Sequence, residues 1–246
     1  MFVTLRSPDY AIPWDEVRRA LTPRTRLLIL NSPHNPTGMV LGEDDLRELA
    51  ALVDGTPIVV LSDEVYEHLV FDGRRHESLA RVPALAERSA VVSSFGKTFH
   101  TTGWKVGYVA APAPITAEIQ RVHQFVTFAV NTPIQHAYAE FLERGVEAGE
   151  VTRFYQAKRD RFVALLDGSR FRPLPCRGTY FQILDYSAIS DDGDAAFAMR
   201  LLTEHGVASI PTSAFLYASE APRVLRFCFA KRDDTLEQAA ARLRAV

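Results

Sequence analysis

The chain has 246 residues, 28 basic and 30 acidic side chains giving a net charge of −2, and a hydrophobic content of 47 %. This composition favours one large or two modest globular domains, and its balanced charge gives no reason to expect binding to nucleic acid or to an anionic membrane. No apolar run approaches the roughly 20 residues that a membrane-spanning helix needs, and no signal peptide is evident at Met1, so we expect a cytoplasmic protein. The two cysteines, Cys176 and Cys228, match no metal-ligand spacing, and we predict no metal site.

Three short and nearly continuous apolar runs predict strands that are covered on both faces, as in a parallel sheet. They occupy residues 26–30, 57–61 and 90–92, and the last run continues into serines. Between the first two runs, residues 43–53 place apolar side chains at helical spacing behind an acidic first turn. This pattern predicts a crossover helix and therefore a βαβ unit.

The second half of the chain has a different pattern, because strands and helices restart after a long predicted helix at about 150–168. The elements predicted beyond it are a strand at 179–184, a helix at 194–205, strands at 207–210 and 224–229, and a helix from 235. A restart of this kind indicates a second, smaller α/β domain. We predict a first domain at 1–150 and a small C-terminal domain at 151–246, with the connecting helix at its start.

Polar side chains follow each of the three apolar strands. Asn35 follows the first strand, Asp63 and Tyr66 follow the second, and Ser94 and Lys97 follow the third. Open parallel sheets bind ligands beyond the carboxyl ends of their strands. If the three strands are neighbours, these side chains meet in one crevice.

Lys97 and Asp63 have complementary chemistry. A lysine at the mouth of a buried strand loses its proton more readily than one in water, and the neutral amine attacks carbonyl groups such as the aldehyde of a cofactor. If that aldehyde is carried on a pyridine ring, a carboxylate such as Asp63 keeps the ring nitrogen charged. Asp63 is also a suitable N-cap for a following helix, so this reading stays open beside the catalytic one.

The other candidates also have two interpretations. Tyr66 and Asn35 are hydrogen-bond donors suited to a phenolate oxygen, while Ser94 and Lys105 suit a phosphate group. On the other hand, Asn35 opens an Asn-Pro-Thr-Gly sequence that is typical of a tight turn, and buried tyrosines such as Tyr66 commonly serve the core. The convergence of all of them at successive strand ends favours a site.

Several segments resemble those of the class I and II pyridoxal-phosphate-dependent aminotransferases of fold type I. The shared segments are Asn35-Pro36-Thr37-Gly38, Ser62-Asp63-Glu64-Val65-Tyr66 and Ser93-Ser94-Phe95-Gly96-Lys97. Three others are most similar to the methionine and kynurenine aminotransferase branch: Gly103-Trp104-Lys105-Val106-Gly107-Tyr108, His123-Gln124 and Leu225-Arg226-Phe227-Cys228-Phe229. The resemblance implies an α/β fold with part of a large domain, built on a mostly parallel sheet, and a small C-terminal α/β domain.

The same resemblance implies a pyridoxal 5′-phosphate-dependent transfer of the amino group from an L-α-amino acid to a 2-oxo acid, with methionine or aromatic amino acids favoured. Lys97 would form a Schiff base with the cofactor and move the proton at Cα. The other implied contacts are Asp63 with the pyridine nitrogen, Tyr66 and Asn35 with the 3′-oxygen, Ser94 and Lys105 with the phosphate, and Arg226 and Asn35 with the substrate. The resemblance further implies a cis peptide bond at Asn35–Pro36 and a homodimer in the full-length form.

The chain departs from the family pattern in two respects. Many relatives carry arginine where Lys105 stands, so the phosphate contact here would be a point charge instead of a fork. Family members also usually have well over a hundred residues before the position of Met1, including a loop that cradles the phosphate and an aromatic residue that stacks on the ring. We therefore expect a truncated chain with impaired cofactor binding.

Two alternative functions remain open. One is a carbon–sulfur β-lyase that acts on cysteine conjugates with the same cofactor chemistry. The other is a non-catalytic remnant of the fold. A nucleotide-binding P-loop is excluded because Val91 stands where that motif requires glycine. Phe125, Phe128 and Tyr217 are candidates for an apolar side-chain pocket, although aromatic residues at such positions are more often core.

Overall fold

The computed structural model describes residues 1–145, 148–217 and 222–246, and within them the chain forms two compact units. Unit one comprises Met1–Glu16, His34–Val40 and Arg153–Val246, and unit two comprises Val17–Pro33 and Leu41–Thr152. Two N-terminal segments thus group with the C-terminal residues. The predicted domains at 1–150 and 151–246 stay a prediction about the fold.

Unit two is built on a four-stranded, mostly parallel sheet of order β1-β2-β3-β4. Its strands are β1 (Leu27–Asn31), β2 (Val59–Asp63), β3 (Ser89–Ser94) and β4 (Gly107–Ala110). The first three strands are parallel, and β4 runs antiparallel to β3. The three predicted strands are confirmed and are neighbours in the sheet, whereas β4 lies outside the predicted apolar runs.

Helices accompany this sheet along the chain. The crossover helix α2 (Glu43–Val53) has the predicted bounds, and it buries Leu46, Leu49, Leu52 and Val53. The other helices up to residue 165 are α1 (Trp14–Ala20), α3 (Pro83–Ala86), α4 (Phe95–Thr98), α5 (Ala113–Val126), α6 (Thr132–Glu143) and α7 (Ala148–Leu165). Short 3₁₀ helices lie at Leu79–Arg81 and Thr102–Trp104.

Unit one contains a second four-stranded sheet, of order β5-β6-β8-β7, whose paired strands are antiparallel. The strands are β5 (Arg172–Pro173), β6 (Phe181–Asp185), β7 (Ile210–Pro211) and β8 (Val224–Cys228). The helices of this region are α8 (Asp194–His205), α9 (Asp233–Arg244) and a 3₁₀ helix at Thr212–Phe215. The predicted α8 is confirmed residue for residue.

The strand predicted at 207–210 begins later than expected. Gly206 ends α8 in the left-handed conformation, with φ of +64°. The amide of Gly206 donates to the carbonyl of Leu202 and the amide of Val207 to that of Leu201, both at 3.1 Å, and these bonds satisfy carbonyls at the helix end. Because the second bond ties Val207 to the helix, the strand pairing is confined to Ile210–Pro211.

The prediction that all three parallel strands are covered on both faces is wrong for β1. Ile29 is 64 % exposed and Leu27 is 50 % exposed, whereas Val60 on β2 is fully buried. Leu27 and Ile29 are two residues apart and point to the same face of this outermost strand, and the described residues leave that face uncovered.

The peptide bond between Asn35 and Pro36 is cis, as the family resemblance implied. The bonds at Ser7–Pro8 and Ser32–Pro33 are also cis. No helix in the described ranges combines the length and apolar character that crossing a membrane requires.

Candidate active site

The carboxyl ends of the neighbouring parallel strands β1, β2 and β3 lie side by side at one end of the sheet in unit two. In the parallel register Asn31 lies opposite Asp63, and Asp63 lies opposite Val92. The side chain of Asn31 secures this end by donating to the backbone carbonyl of Asp63, 2.9 Å away. The strands thus deliver the segments that carry Asp63 and Ser94 to the same end of the sheet.

Three of the predicted site residues belong to the segments at this end of the sheet: Asp63, Tyr66 and Lys97. Lys97 is half-buried on α4, the single helical turn that follows β3, and its Nζ lies 5.7 Å from the centre of the Tyr66 ring. Tyr66 is only 2 % exposed. Burial raises the pKa of Asp63, while the amide of Val65 and the positive charge of Lys97 oppose that rise. The carboxylate is therefore poorly compensated by the residues around it.

The neighbouring Glu64 has a different environment. It is 1 % exposed and accepts hydrogen bonds from Ser62, at 2.8 Å, and from the amide of Leu79, at 3.1 Å, while His76 lies 2.7 Å away. Burial by itself raises the pKa of Glu64, but the hydrogen bond and charge of His76 reverse the shift and lower it. Glu64 is thus an internal structural carboxylate.

Ser94 and Lys105 are brought near each other through the pairing of β3 with β4. Ser94 lies opposite Gly107, and Lys105 precedes that glycine by two residues. Lys105 is exposed and adopts the left-handed conformation with φ of 55° at the end of the 3₁₀ helix. The register therefore places a hydroxyl and a cation at the same end of β3.

Arg226 and Asn35 are brought together in unit one, although 191 positions separate them. Arg226 lies on β8, and its Nη1 donates to Oδ1 of Asn35 at 2.7 Å. The guanidinium carbon lies 4.1 Å from the ring centre of Phe181 and 5.1 Å from that of Phe215. The aromatic rings and the amide hold the guanidinium in a fixed orientation.

A cleft of about 850 Å³ in unit one borders Asn35. Its wall combines residues 2–7 and Tyr10 with residues 34–37, Thr212 and residues 214–217. Tyr217 lines this cleft, whereas Phe125 and Phe128 are 86 % and 85 % exposed. A pocket that includes all three aromatic residues stays a prediction.

Sequence reasoning missed Glu67. This side chain accepts hydrogen bonds from Ser93 on β3 and from the hydroxyl of Tyr108 on β4, the latter at 2.8 Å. It thereby ties the turn that carries Tyr66 to two strands. The available signal was its place in the Asp-Glu-Val-Tyr-Glu segment after β2, but nothing local identified its partners.

Comparisons with known proteins identify the relatives of this chain. A family profile described as aminotransferase class I and II matches residues 1–243. Methionine aminotransferase of Escherichia coli (strain K12) is 49 % identical over 243 residues, covering 98 % of this chain and 63 % of the relative. Kynurenine–oxoglutarate transaminase of Dictyostelium discoideum is 38 % identical over 258 residues, covering 95 % of this chain and 59 % of the relative.

Solved structures agree. A crystal structure from Escherichia coli, described as having methionine aminotransferase function, matches with a TM-score of 0.96 and 48 % identity, covering 98 % of this chain and 64 % of its own. N-succinyldiaminopimelate aminotransferase from Mycobacterium tuberculosis matches with a TM-score of 0.92 and 40 % identity, covering 98 % and 63 %. This chain spans a little under two thirds of the length of these relatives. It has the fold of the pyridoxal-phosphate-dependent fold type I enzymes and belongs to the class I and II aminotransferase family.

Proposed function

We propose that the protein transfers the amino group of an L-α-amino acid to a 2-oxo acid with the help of pyridoxal 5′-phosphate. The observation that carries the proposal is the grouping at the strand ends of unit two, where the Lys97 amine lies over the buried Tyr66 ring and its charge acts on Asp63. Amine, phenol and carboxylate are the groups that this chemistry needs.

The chemistry of the side chains fits the cofactor that members of this family use. The half-buried Asp63 carboxylate has a raised pKa because burial disfavours its charge, so a cationic ring nitrogen would supply the compensation that the protein lacks. When bound, pyridoxal phosphate supplies an aldehyde and an electron-withdrawing ring that stabilises negative charge at the substrate Cα.

Lys97 and Asp63 take the two central roles. The Lys97 amine would hold the cofactor through its aldehyde and, as a free amine, would move a proton between the substrate Cα and the cofactor's C4′. Asp63 keeps the proton on the ring nitrogen, because an ionised carboxylate stabilises a positive partner in a poorly solvated place.

The remaining groups bind and orient. Tyr66 and Asn35 are the donors that would suit the 3′-oxygen of the cofactor, and Ser94 and Lys105 would hold its phosphate. Arg226 binds the substrate carboxylate, since its planar fork matches a carboxylate and its orientation is fixed by Phe181. Asn35, which accepts a hydrogen bond from Arg226, would also contact the substrate.

The names of the relatives favour transamination over a carbon–sulfur β-lyase and over a non-catalytic remnant. They also support a methionine-type or aromatic amino acid as donor. Initial rates with a panel of amino acids and 2-oxo acids test this choice, and pyruvate release from a cysteine conjugate without any acceptor would favour the lyase instead.

We also propose a cytoplasmic homodimer. Apolar side chains at Val122, Phe125 and Val126 on α5 are more than 60 % exposed, which favours burial against a second copy. Sedimentation of the purified protein tests the dimer, and a monomer at micromolar concentration would contradict it. Cell fractionation tests the compartment.

Lys97→Ala provides the direct test of the function. Borohydride reduction of the protein with pyridoxal phosphate should trap one covalent adduct at Lys97, and the alanine variant should lose both adduct and transamination. Lys105→Ala is the control, because it removes a lysine of the same segment that contributes only to affinity. An adduct that persists in Lys97→Ala would reject the assignment.

A further inference from the structure

Lys97 lies on a helical segment that is too short to be stable by itself. The helix α4 has four residues, and isolated helical turns of that length are unstable in water. Three backbone hydrogen bonds close the segment, from the amides of Phe99, Thr101 and Trp104 to the carbonyls of Phe95, Gly96 and Thr101, at 2.8, 3.0 and 2.9 Å. Packing from outside the segment must therefore stabilise it.

One side chain contacts this segment on both sides of Lys97. Tyr138 lies on α6 and is only 4 % exposed. Its ring stacks on Phe95 with centroids 4.8 Å apart, and it also meets the rings of Phe99 at 6.1 Å and Trp104 at 5.4 Å. Phe95 precedes Lys97 by two residues, and Trp104 directly precedes Lys105.

The hydroxyl of Tyr138 adds a polar contact at the middle of the segment. It shares a hydrogen bond with the hydroxyl of Thr101, the residue whose amide and carbonyl both take part in closing the turn. The backbone there is also tight, because a side chain at Gly96 would lie 3.0 Å from Cα of Thr102. Small displacements of Thr101 are therefore transmitted to the peptide next to Lys97.

We propose that Tyr138 is a positioning residue that fixes the Lys97 amine and Lys105 relative to each other. The proposal rests on the proposed function, in which Lys97 holds the cofactor aldehyde and Lys105 its phosphate. Because the aldehyde and the phosphate-bearing arm are attached to neighbouring carbons of one small ring, the distance between Lys97 and Lys105 must suit that ring, and the segment between the two lysines sets it. Tyr138 sets it from a neighbouring helix by contacting the start, middle and end of that segment.

A double-mutant cycle isolates the hydroxyl contact. Tyr138→Phe keeps the ring contacts and Thr101→Val keeps the shape of the turn, and each removes one partner of the same hydrogen bond. In the protein without cofactor, each change should speed hydrogen exchange at the amides of Thr101 and Trp104 by about fivefold. The double variant should be no faster than the faster single variant, because the interaction is lost only once. Unchanged exchange, or effects that multiply, would overturn the proposal.

The second measurement is binding of pyridoxal phosphate. Tyr138→Phe should raise its dissociation constant by about fivefold and shift the pH midpoint of the bound cofactor's absorbance. Leu142→Ala is the matched control, since it removes apolar atoms from α6 but offers no ring to the turn, and it should change neither quantity. Equal affinity and an unchanged midpoint in Tyr138→Phe, or equal shifts in the control, would overturn the proposal.

The two measurements separate this proposal from the function on which it rests. If the parent protein binds no pyridoxal phosphate, the proposed function fails and the assignment of Tyr138 to cofactor positioning is overturned with it. If the parent protein binds the cofactor but Tyr138→Phe leaves hydrogen exchange at the amides of Thr101 and Trp104 unchanged, only the positioning role is overturned.

Discussion

At the scale of single residues, two adjacent acids have opposite properties. Burial raises the pKa of Asp63, and the opposing contributions of Val65 and Lys97 do not cancel it. For Glu64, the partner His76 and the hydroxyl of Ser62 overcome the effect of burial, and its pKa is lowered. One carboxylate is therefore stabilised by the fold itself, and the other requires a partner from outside.

This difference predicts that Asp63→Asn stabilises the cofactor-free protein near neutral pH. Because the pKa of Asp63 is raised in the folded protein, ionisation of this side chain lowers the free energy of unfolding at any pH above its ordinary pKa of 3.8. The uncharged amide removes this loss of stability. The amide oxygen can still accept from Val65. Urea unfolding at pH 7 should give a higher unfolding free energy, while transamination is lost.

Glu64→Gln is the control with the opposite sign. Removing the charge of a buried carboxylate that is paired with His76 should lower the unfolding free energy by about 3 kcal/mol. If both substitutions destabilise the protein to the same extent, the opposite effects assigned to the charges of Asp63 and Glu64 are wrong.

Arg226→Lys should weaken substrate binding more than it slows turnover. A lysine cannot form the two-pronged contact with a carboxylate or stack on Phe181 in the same way, so KM for the amino acid should rise by about tenfold. Arg223→Lys is the matched control, because Arg223 is exposed and pairs with Asp191. Steady-state kinetics check the result, and an unchanged KM in Arg226→Lys would contradict the assignment.

At the scale of elements, the contact between β3 and β4 depends on one glycine. A Cβ at Gly107 would lie 2.3 Å from the carbonyl oxygen of Ser93, much closer than van der Waals contact allows. Gly107→Ala should therefore push the strands apart next to Ser94 and lower the unfolding free energy by about 2 kcal/mol. Its measurement is urea unfolding, together with the dissociation constant of pyridoxal phosphate, which should rise.

Gly103→Ala is the control for this substitution. Gly103 lies four residues earlier, and a Cβ there would meet no atom within 4 Å. The variant should be as stable as the parent, and a comparable loss in both variants would show that close approach is not the cause.

The elements themselves show which local signals are reliable. The apolar spacing and flanking residues of α2 and α8 predict both helices with their observed bounds, because periodicity and helix ends are encoded within a few residues. The start of β7 was misplaced because a hydrogen bond from Val207 back to α8 competes with strand pairing. An apolar run does not reveal whether other elements cover both faces of its strand, so it does not predict the exposure of Ile29.

At the scale of the whole molecule, stability in acid should depend on His34. Burial lowers the pKa of His34 from 6.5 to about 4, so the folded protein keeps this imidazole neutral where the unfolded chain takes up a proton. The stabilisation is complete above pH 6.5 and declines as the pH falls towards 4, by about 3 kcal/mol in total. No further loss from this group is expected at lower pH.

His34→Gln tests this dependence, because glutamine does not titrate and can still bond to Thr37, which lies 2.8 Å from the imidazole Nδ1. Unfolding free energies of parent and variant should differ in their slopes between pH 6.5 and 4 and run parallel outside that window. Parallel curves throughout would show that His34 does not titrate as its burial requires.

The amino-acid sequence alone predicts the order of β1, α2, β2 and β3 and places Asp63, Ser94 and Lys97 at or just beyond the ends of β2 and β3. These features are local, and parallel strands necessarily end at a common edge once they are neighbours. It also indicated the family through short segments that keep their residue types. The opposite pKa shifts of Asp63 and Glu64 cannot be predicted from the sequence, because burial and partners such as His76 decide them.

Only the tertiary structure brought Arg226 to Asn35 and Tyr138 to Thr101. Residue spacing along a chain carries no information about which distant side chains meet, since that depends on how sheets and helices pack. For the same reason, the tight approach of Gly107 to Ser93 became visible only in three dimensions.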